Sequence, residues 1–124
     1  ADRESPFVVW GDGKDVKDLI YIDDFIDGLV RAFERTDDFL AINIASGKGY
    51  VLRDVIDTLL KIDGFKGVDV KYDSTKPTMI PVRLVDTSMA KKLLNFEAKT
   101  SLEEGLKRTL KWYREVFTSS KKSL

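Results

Sequence analysis

Hydrophobic positions near the start of the chain follow a strand-like pattern and then change to a helical one. Two runs rich in β-branched and aromatic residues, at 7–10 and 16–22, flank a turn-forming cluster at residues 11–15, and this arrangement predicts a β-hairpin. From Asp23 onward the apolar residues recur at helical spacing and predict a helix that ends near Arg35. The apolar stripe of this helix consists of Ile22, Ile26, Leu29, Val30 and Phe33.

The middle of the chain predicts a buried strand followed by a second amphipathic helix. Residues 39–45 form a short apolar run suited to a buried strand, and residues 46–49 close it with turn-forming types. Apolar residues at 52–60 then repeat at helical spacing, and this helix is expected to stop before Asp63. Val51 stands where a capping Ser or Thr is expected, which should cost ~1 kcal/mol.

The following segment predicts one strand, a rigid loop and a short helix. Residues 68–72 alternate between apolar and polar types, as a half-exposed strand does. Residues 73–81 contain two prolines and should form an extended loop, because proline cannot continue regular helix. Asp86 or Thr87 can cap a short helix that holds the next apolar residues.

The last helix is the most strongly marked element. A capping box at residues 101–104 opens it, and its apolar face extends to about Thr118. Residues 119–124 should form a flexible tail. The apolar face is made of Leu102, Leu106, Leu110, Tyr113 and Phe117.

Strands that alternate with helices predict an α/β fold, a small partial sheet of short strands with about four helices. A sheet of this size leaves helix faces without cover. Exposed apolar faces usually mark a contact with another surface. We therefore expect either a homodimer or a missing neighbouring domain.

Composition narrows the possible chemistry. The 124 residues include 21 Lys and Arg, 21 Asp and Glu, and neither Cys nor His. Disulfides, thiolate or imidazole metal sites and Ser-His-Asp triads are therefore excluded. The balanced charge argues against nucleic acid or an anionic membrane as partner. The first residues are polar and resemble no targeting segment, so we expect a cytoplasmic protein. The sequence does not start with Met, which suggests that it is a piece of a longer protein.

Three local patterns invite a catalytic or metal-binding interpretation. Tyr72 and Lys76 have the Tyr-x-x-x-Lys spacing of short-chain dehydrogenases, but that chemistry needs both on one helix, and Pro77 opposes a helix there. The glycine pairs at 11–13 and 47–49 match neither a dinucleotide fingerprint nor a P-loop, so turn glycines are favoured. The acidic cluster Asp23, Asp24 and Asp27 lacks calcium-loop spacing and suits a helix N-terminus, so we expect no metal site.

Loop cations beside an aromatic residue are more suggestive. Trp10 closes the first predicted strand, Lys17 opens the second, and Lys76 and Arg83 flank the proline-containing loop. An indole for stacking and two or three cations for a diphosphate suit a nucleotide-like ligand. A buried tryptophan with solvated lysines explains the same spacing equally well.

Five segments, in order, resemble NAD-dependent epimerases and dehydratases, the extended short-chain dehydrogenase/reductase family. They read VVWGDG, VKDLIYIDD, NIASG, PVRLVDTS and SLEEGL, the last followed by WY. The resemblance covers nearly the whole chain. Within the family, Trp10 with a cation seven residues later, and residues 73–77 before Arg83, are most similar to the GDP-fucose synthase branch.

The resemblance implies a C-terminal, substrate-binding part of such an enzyme. It implies that Trp10 packs against a nucleotide-sugar and that Lys17, Lys76 and Arg83 contact its diphosphate or sugar. The family usually has Arg where this chain has Lys17, and Lys lacks the bidentate fork of Arg. Family members use NAD or NADP, bound by an N-terminal Rossmann half, and a catalytic Tyr-x-x-x-Lys helix, which no residues here match.

We therefore predict a nucleotide-sugar-binding lobe at residues 1–118, truncated or free-standing, with no cofactor site and no catalytic residue of its own. It should bind a nucleotide-sugar at most and should not transfer hydride alone. The alternative is a homo-oligomeric interaction or assembly module derived from that lobe. The expected partner is accordingly a nucleotide-sugar, a second copy of the chain or a Rossmann half.

Overall fold

The computed structural model describes residues 5–36, 39–78 and 80–120 of the chain. Short strands and four helices alternate along these residues, which confirms the predicted α/β class. In chain order they are β1 (Phe7–Trp10), β2 (Val16–Asp18), α1 (Ile22–Arg35), β3 (Gly49–Val51), α2 (Leu52–Asp63), β4 (Val70–Asp73), β5 (Val82–Arg83), α3 (Ser88–Leu94) and α4 (Leu102–Ser120).

The strands form two small sheets. β1 pairs in parallel with β4, whereas β2 lies between β3, which is antiparallel to it, and β5, which is parallel. The predicted hairpin is therefore wrong, since β1 and β2 belong to different sheets. β2 also ends at Asp18, four residues before the predicted end of that strand.

The loop at residues 11–15 packs against β4 and the segment after it. Gly11 and Gly13 have φ of 88° and 75°, a region that favours glycine. A side chain on Gly11 would meet Thr78, and one on Gly13 would meet the ring of Tyr72. The loop is thus fitted closely against β4 and the segment that follows it.

The same loop caps α2. Val51 is the N-cap residue and forms no side-chain cap, as predicted. Instead, the amide of Leu52 donates to the carbonyl of Asp15 at 2.8 Å, and the amide of Arg53 donates to the carbonyl of Gly13 at 2.9 Å. Backbone carbonyls therefore replace the missing hydroxyl, and the predicted cost is at least partly offset.

The buried strand predicted at residues 39–45 is wrong. Its described residues form no strand, and Phe39 is fully exposed. None of the strands in the described ranges pairs with this segment, and an extended run without a neighbour has no ladder of hydrogen bonds to hold it. Ile42 and Ile44 nevertheless pack against the core.

The core lies between α1 and α3. Ala90, Leu94 and Phe96 are at most 1% exposed, and partly buried side chains surround them. Gly28 allows the backbone of α1 to lie close to Ile44, because a Cβ at this position would be 2.5 Å from Cγ2 of Ile44. The surrounding side chains are Ile20, Ala32, Ile42, Ile44 and Ala98.

Both predicted C-terminal helices are present. The carboxylate of Asp86 accepts from the amide of Ser88 at 2.8 Å, so Asp86 rather than Thr87 supplies the side-chain bond at the start of α3. The hydroxyl of Ser101 accepts from the amide of Glu104 at 3.2 Å, as the capping box predicts. α4 continues through Ser120, two residues beyond the predicted end, and residues 121–124 of the predicted tail lie outside the described residues.

One face of α1 is exposed, which confirms the prediction that helix faces remain without cover. We call this set of residues the α1 outer face: Ile22, Ile26, Leu29, Val30 and Phe33. Each of them is at least 44% exposed. No helix within the described ranges is both long and apolar enough to cross a lipid bilayer.

Candidate functional site

Strand pairing brings two of the predicted site residues together. Lys17 of β2 lies directly opposite Arg83 of β5, and Tyr50 of β3 lies opposite Lys17 on its other side. Residues that oppose one another on neighbouring strands project from the same face of a sheet. Tyr50, Lys17 and Arg83 therefore form one row. Sequence reasoning missed Tyr50, because spacing does not reveal that β3 pairs with β2.

The other two predicted residues meet at the end of the second sheet. Trp10 ends β1 and is 63% exposed, so the alternative of a buried tryptophan is wrong. The Nζ atom of Lys76 lies 6.0 Å from the centroid of the Trp10 ring, at the outer limit of a cation–π contact. An exposed indole thus has a cation beside it.

A groove of about 310 Å³ lies between the 11–15 loop and the described residues 74–78 and 80–81, which we call the 74–81 loop. Trp10 directly precedes its first lining residue, and Lys17 forms an ion pair with another, Asp15. One member of each pair, Trp10 and Lys17, therefore lies next to the groove. It is lined by Gly11, Asp12, Lys14, Asp15, Ser74, Thr78 and Pro81.

Lys17 is the most constrained of the four predicted residues. Its Nζ atom donates to the carbonyl of Ile80 at 2.6 Å and lies 3.1 Å from the carboxylate of Asp15. An ammonium group has three donors, so these contacts occupy two of them. Its contact with a diphosphate stays a prediction.

Lys76 and Arg83 are the predicted cations without an acidic partner at ion-pair distance among the described residues. Both are exposed, and neither forms an ion pair within the part of the chain that the structure describes. The groove's own acids have partners: Asp15 pairs with Lys17, and Asp12 lies 3.5 Å from Lys14. The groove is therefore polar, and the acids that line it are paired with lysines.

Two carboxylates shape the loops beside the groove. Asp73 accepts from the hydroxyl and the amide of Thr75 at 2.6 and 3.0 Å, and these bonds hold its pKa below the ordinary value. Asp12 accepts from the amide of Lys14 at 2.9 Å, which lowers the pKa of Asp12 in the same way. Both groups are turn-forming anions at neutral pH.

The residues of the Tyr-x-x-x-Lys pair belong to two different elements. Tyr72 lies on β4 and Lys76 in the following loop, not on one helix. The ring of Tyr72 packs under the guanidinium of Arg53, 4.6 Å from its centroid, and against Gly13. As predicted, the two residues do not share a helix.

The second glycine pair and the acidic cluster also have structural roles. Asp18, which sequence reasoning missed, accepts from the amides of Ser46 and Gly47 at 3.0 and 2.9 Å and fixes that turn. Asp24 accepts from the amide of Thr100 at 2.8 Å, and Asp27 pairs with Arg31. Throughout the described ranges, no three acidic side chains meet as a metal site requires.

The chain is similar to part of several nucleotide-sugar enzymes. Residues 1–45 match the model of the NAD dependent epimerase/dehydratase family. The chain is 30% identical to a probable GDP-L-fucose synthase of Oryza sativa over 98% of its own length and 37% of that protein. It is 35% identical to a UDP-glucuronate 4-epimerase of Thermodesulfobacterium geofontis over 91% of its own length and 35% of that protein.

Solved structures of nucleotide-sugar epimerases are also similar to this chain. A UDP-glucose 4-epimerase of Thermotoga maritima with UDP-glucose superposes with a TM-score of 0.82 at 30% identity, over 93% of this chain and 36% of the other. A UDP-glucuronic acid 4-epimerase of Bacillus cereus, with UDP-glucuronic acid and NAD, gives 0.79 at 30% identity over 90% and 36%. The chain thus spans about a third of the length of the relatives it matches.

Proposed function

Because the chain belongs to the NAD-dependent epimerase/dehydratase family, we propose that residues 1–118 are the nucleotide-sugar-binding lobe of a GDP-fucose synthase-like enzyme. The observation that supports this most directly is the exposed indole of Trp10 beside Lys76, at the end of the groove. A flat aromatic surface next to a cation suits a ligand that joins a ring to a diphosphate.

In this proposal each residue has a separate task. Trp10 packs against a ring of the ligand, Lys76 contacts the diphosphate, and Arg83 offers a planar guanidinium for a second oxygen pair. Lys17 lies opposite Arg83 on the same row, but its ammonium is already bound to Ile80 and Asp15. Similar relatives described in complex with UDP-glucose or UDP-glucuronic acid support a nucleotide-sugar as the ligand class.

The cofactor of the relatives does not fit the residues present here. Gly11 and Gly13 are packed against Thr78 and Tyr72, and Gly47 closes a turn on Asp18. These glycines leave no open cradle for the pyrophosphate of NAD or NADP. We propose that these residues contribute substrate binding and do not transfer hydride by themselves. The cytoplasmic location stays a prediction.

Calorimetric titration with a GDP-sugar and a UDP-sugar tests the binding proposal. Trp10→Ala, Lys76→Ala and Arg83→Ala should each weaken binding by about tenfold, a loss of roughly 1.4 kcal/mol. Lys92→Ala, an exposed lysine of α3, is the matched control and should bind normally. Absence of binding by the unmodified chain, or equal binding by all variants, would refute the proposal.

The α1 outer face favours a second function, that of an interaction module. Its five large apolar side chains are exposed on one helix face, and soluble monomers rarely expose such continuous patches. We propose that a second copy of the chain or a Rossmann half covers it. Sedimentation velocity of the isolated chain and of Phe33→Asp tests the first option, because a monomer at all concentrations would exclude the homodimer.

A further inference from the structure

We infer that Lys17 is a positioning residue that fastens the 74–81 loop to β2 and so sets where Lys76 lies relative to Trp10. In its effect on ligand binding this inference rests on the proposed function. It assigns Lys17 a role that differs from the diphosphate contact implied by resemblance. Lys17 then acts through the loop, while Trp10 and Lys76 touch the ligand.

The ammonium of Lys17 is held from two sides. One donor goes to the carbonyl of Ile80, 63 residues away in the chain, and another faces the carboxylate of Asp15. The side chains of Lys17 and Asp15 are only 23% and 17% exposed. A hydrogen bond from a charged donor is among the stronger ones, and partial burial reduces its screening. An incoming phosphate would have to compete with Asp15 for this charge.

A second lysine shows what is special about Lys17. Lys71 also follows an aspartate by two residues on a strand, and its Nζ atom lies 3.4 Å from Asp69. Both of those side chains are 61% exposed, and surface pairs of this kind contribute little to stability. The difference lies in burial and in the distant acceptor, so Lys17 joins two segments, whereas the ion pair of Lys71 is with a residue two positions before it.

The loop that carries Lys76 is fastened at both ends. At its start, the backbone carbonyl of Asp73 accepts from the amide of Lys76 at 3.3 Å. At its end, the carbonyl of Pro81 accepts from the amide of Val16 at 2.7 Å, and Lys17 holds the adjacent carbonyl of Ile80. Lys17 is thus the side-chain anchor at the end of the loop. Without it, backbone pairing with β2 is the hydrogen bonding described at that end of the loop.

Fluorescence of Trp10 tests this inference without any ligand. The chain has two tryptophans, so a Trp112→Phe background leaves Trp10 as the single reporter. In that background Lys17→Met should shift the emission of Trp10 and increase its quenching by acrylamide, as Lys76→Ala should. Lys17→Arg should restore the original signal, because guanidinium can also reach a carbonyl and a carboxylate.

The matched control is Lys71→Met, which should leave Trp10 emission unchanged. Circular dichroism checks that every variant is folded. If Lys17→Met does not fold, Lys17→Gln takes its place, because it retains one donor for Ile80 and should give a smaller shift. Emission and quenching of a folded Lys17→Met or Lys17→Gln protein equal to those of Lys71→Met would overturn the inference.

A double-mutant cycle with a GDP-sugar separates positioning from direct contact. If Lys17 acts through Lys76, the double variant Lys17→Met/Lys76→Ala should bind no more weakly than Lys76→Ala alone. Losses that multiply, for example about tenfold each and about a hundredfold together, would show that Lys17 touches the ligand and would overturn the inference. If the unmodified chain binds no nucleotide-sugar, the proposed function fails, and the Trp10 measurements still decide the role of Lys17.

Discussion

The two faces of α1 are both apolar, yet they contact very different surroundings. The inner face meets the core through Gly28 and Ala32, against Ile44 and Phe96. The α1 outer face carries the larger side chains and is exposed, with Phe33 at 90%. In α1, the small residues therefore form the close contact with the core. The large ones form a surface that the described residues do not cover.

The largest difference between the two faces should appear when a phenylalanine is truncated. Phe96 is 1% exposed, so Phe96→Ala should lower the free energy of unfolding by about 3–5 kcal/mol through lost burial and a cavity. Phe33→Ala should change it by less than about 0.5 kcal/mol, because that ring is already in solvent. Urea unfolding measures both, and similar losses for the two variants would contradict the comparison.

A smaller effect is expected from adding one methyl group to the inner face. Alanine is the better helix former by up to about 1 kcal/mol, so Gly28→Ala would be stabilising if α1 were alone. Here the new Cβ would lie 2.5 Å from Ile44 and 3.3 Å from the ring of Phe96, and overpacking typically costs about 1–3 kcal/mol. We therefore expect net destabilisation by thermal unfolding.

The control for that experiment is Leu29→Ala, the next residue and part of the α1 outer face. Its side chain is exposed, so its truncation should have little effect on the melting temperature. A raised melting temperature for Gly28→Ala would show that α1 lies farther from Ile44 than the structure places it.

The smallest effect is expected at the polar edge of the core, where Glu97 follows Phe96. The hydrogen bond from Lys91, at 2.9 Å, lowers the pKa of Glu97 below its ordinary 4.5. A lowered carboxyl pKa stabilises the fold above the unfolded value, and this stabilisation is lost as the pH falls through the folded value. Melting temperature should therefore decline slightly below about pH 4.5.

Lys91→Met is the matched variant for this titration. It should raise the pKa of Glu97, measured by NMR, and flatten the decline of melting temperature with acid. An unchanged Glu97 titration in Lys91→Met would mean that the pair does not form in solution.

Helices were predictable from the sequence because their signals are local. The boundaries of α1 and α2 follow from apolar spacing and from Gly64, which ends α2 in a left-handed conformation. Strand pairing was not predictable, because period-two alternation says nothing about which strand lies alongside. That is why β1 and β2 were expected to form a hairpin and why residues 39–45 were expected to form a strand.

The site was predictable in its residue types and only partly in its arrangement. The cations and the indole stand out in the sequence. The hydrogen bond between Lys17 and Ile80 could not be predicted, because the two residues are 63 positions apart. Tyr50 could be assigned to the row with Lys17 and Arg83 only once the pairing of β3 with β2 was known. Asp18 carries no signal of its own, because its partners are backbone amides of a distant turn.

The capping of α2 by the carbonyls of Gly13 and Asp15 ties the first turn of a helix to one wall of the groove. The amides of Leu52 and Arg53 can exchange their hydrogens with solvent only when the loop separates from the helix. Their exchange rates therefore report on the opening of the groove wall from a place that no ligand in the groove needs to touch.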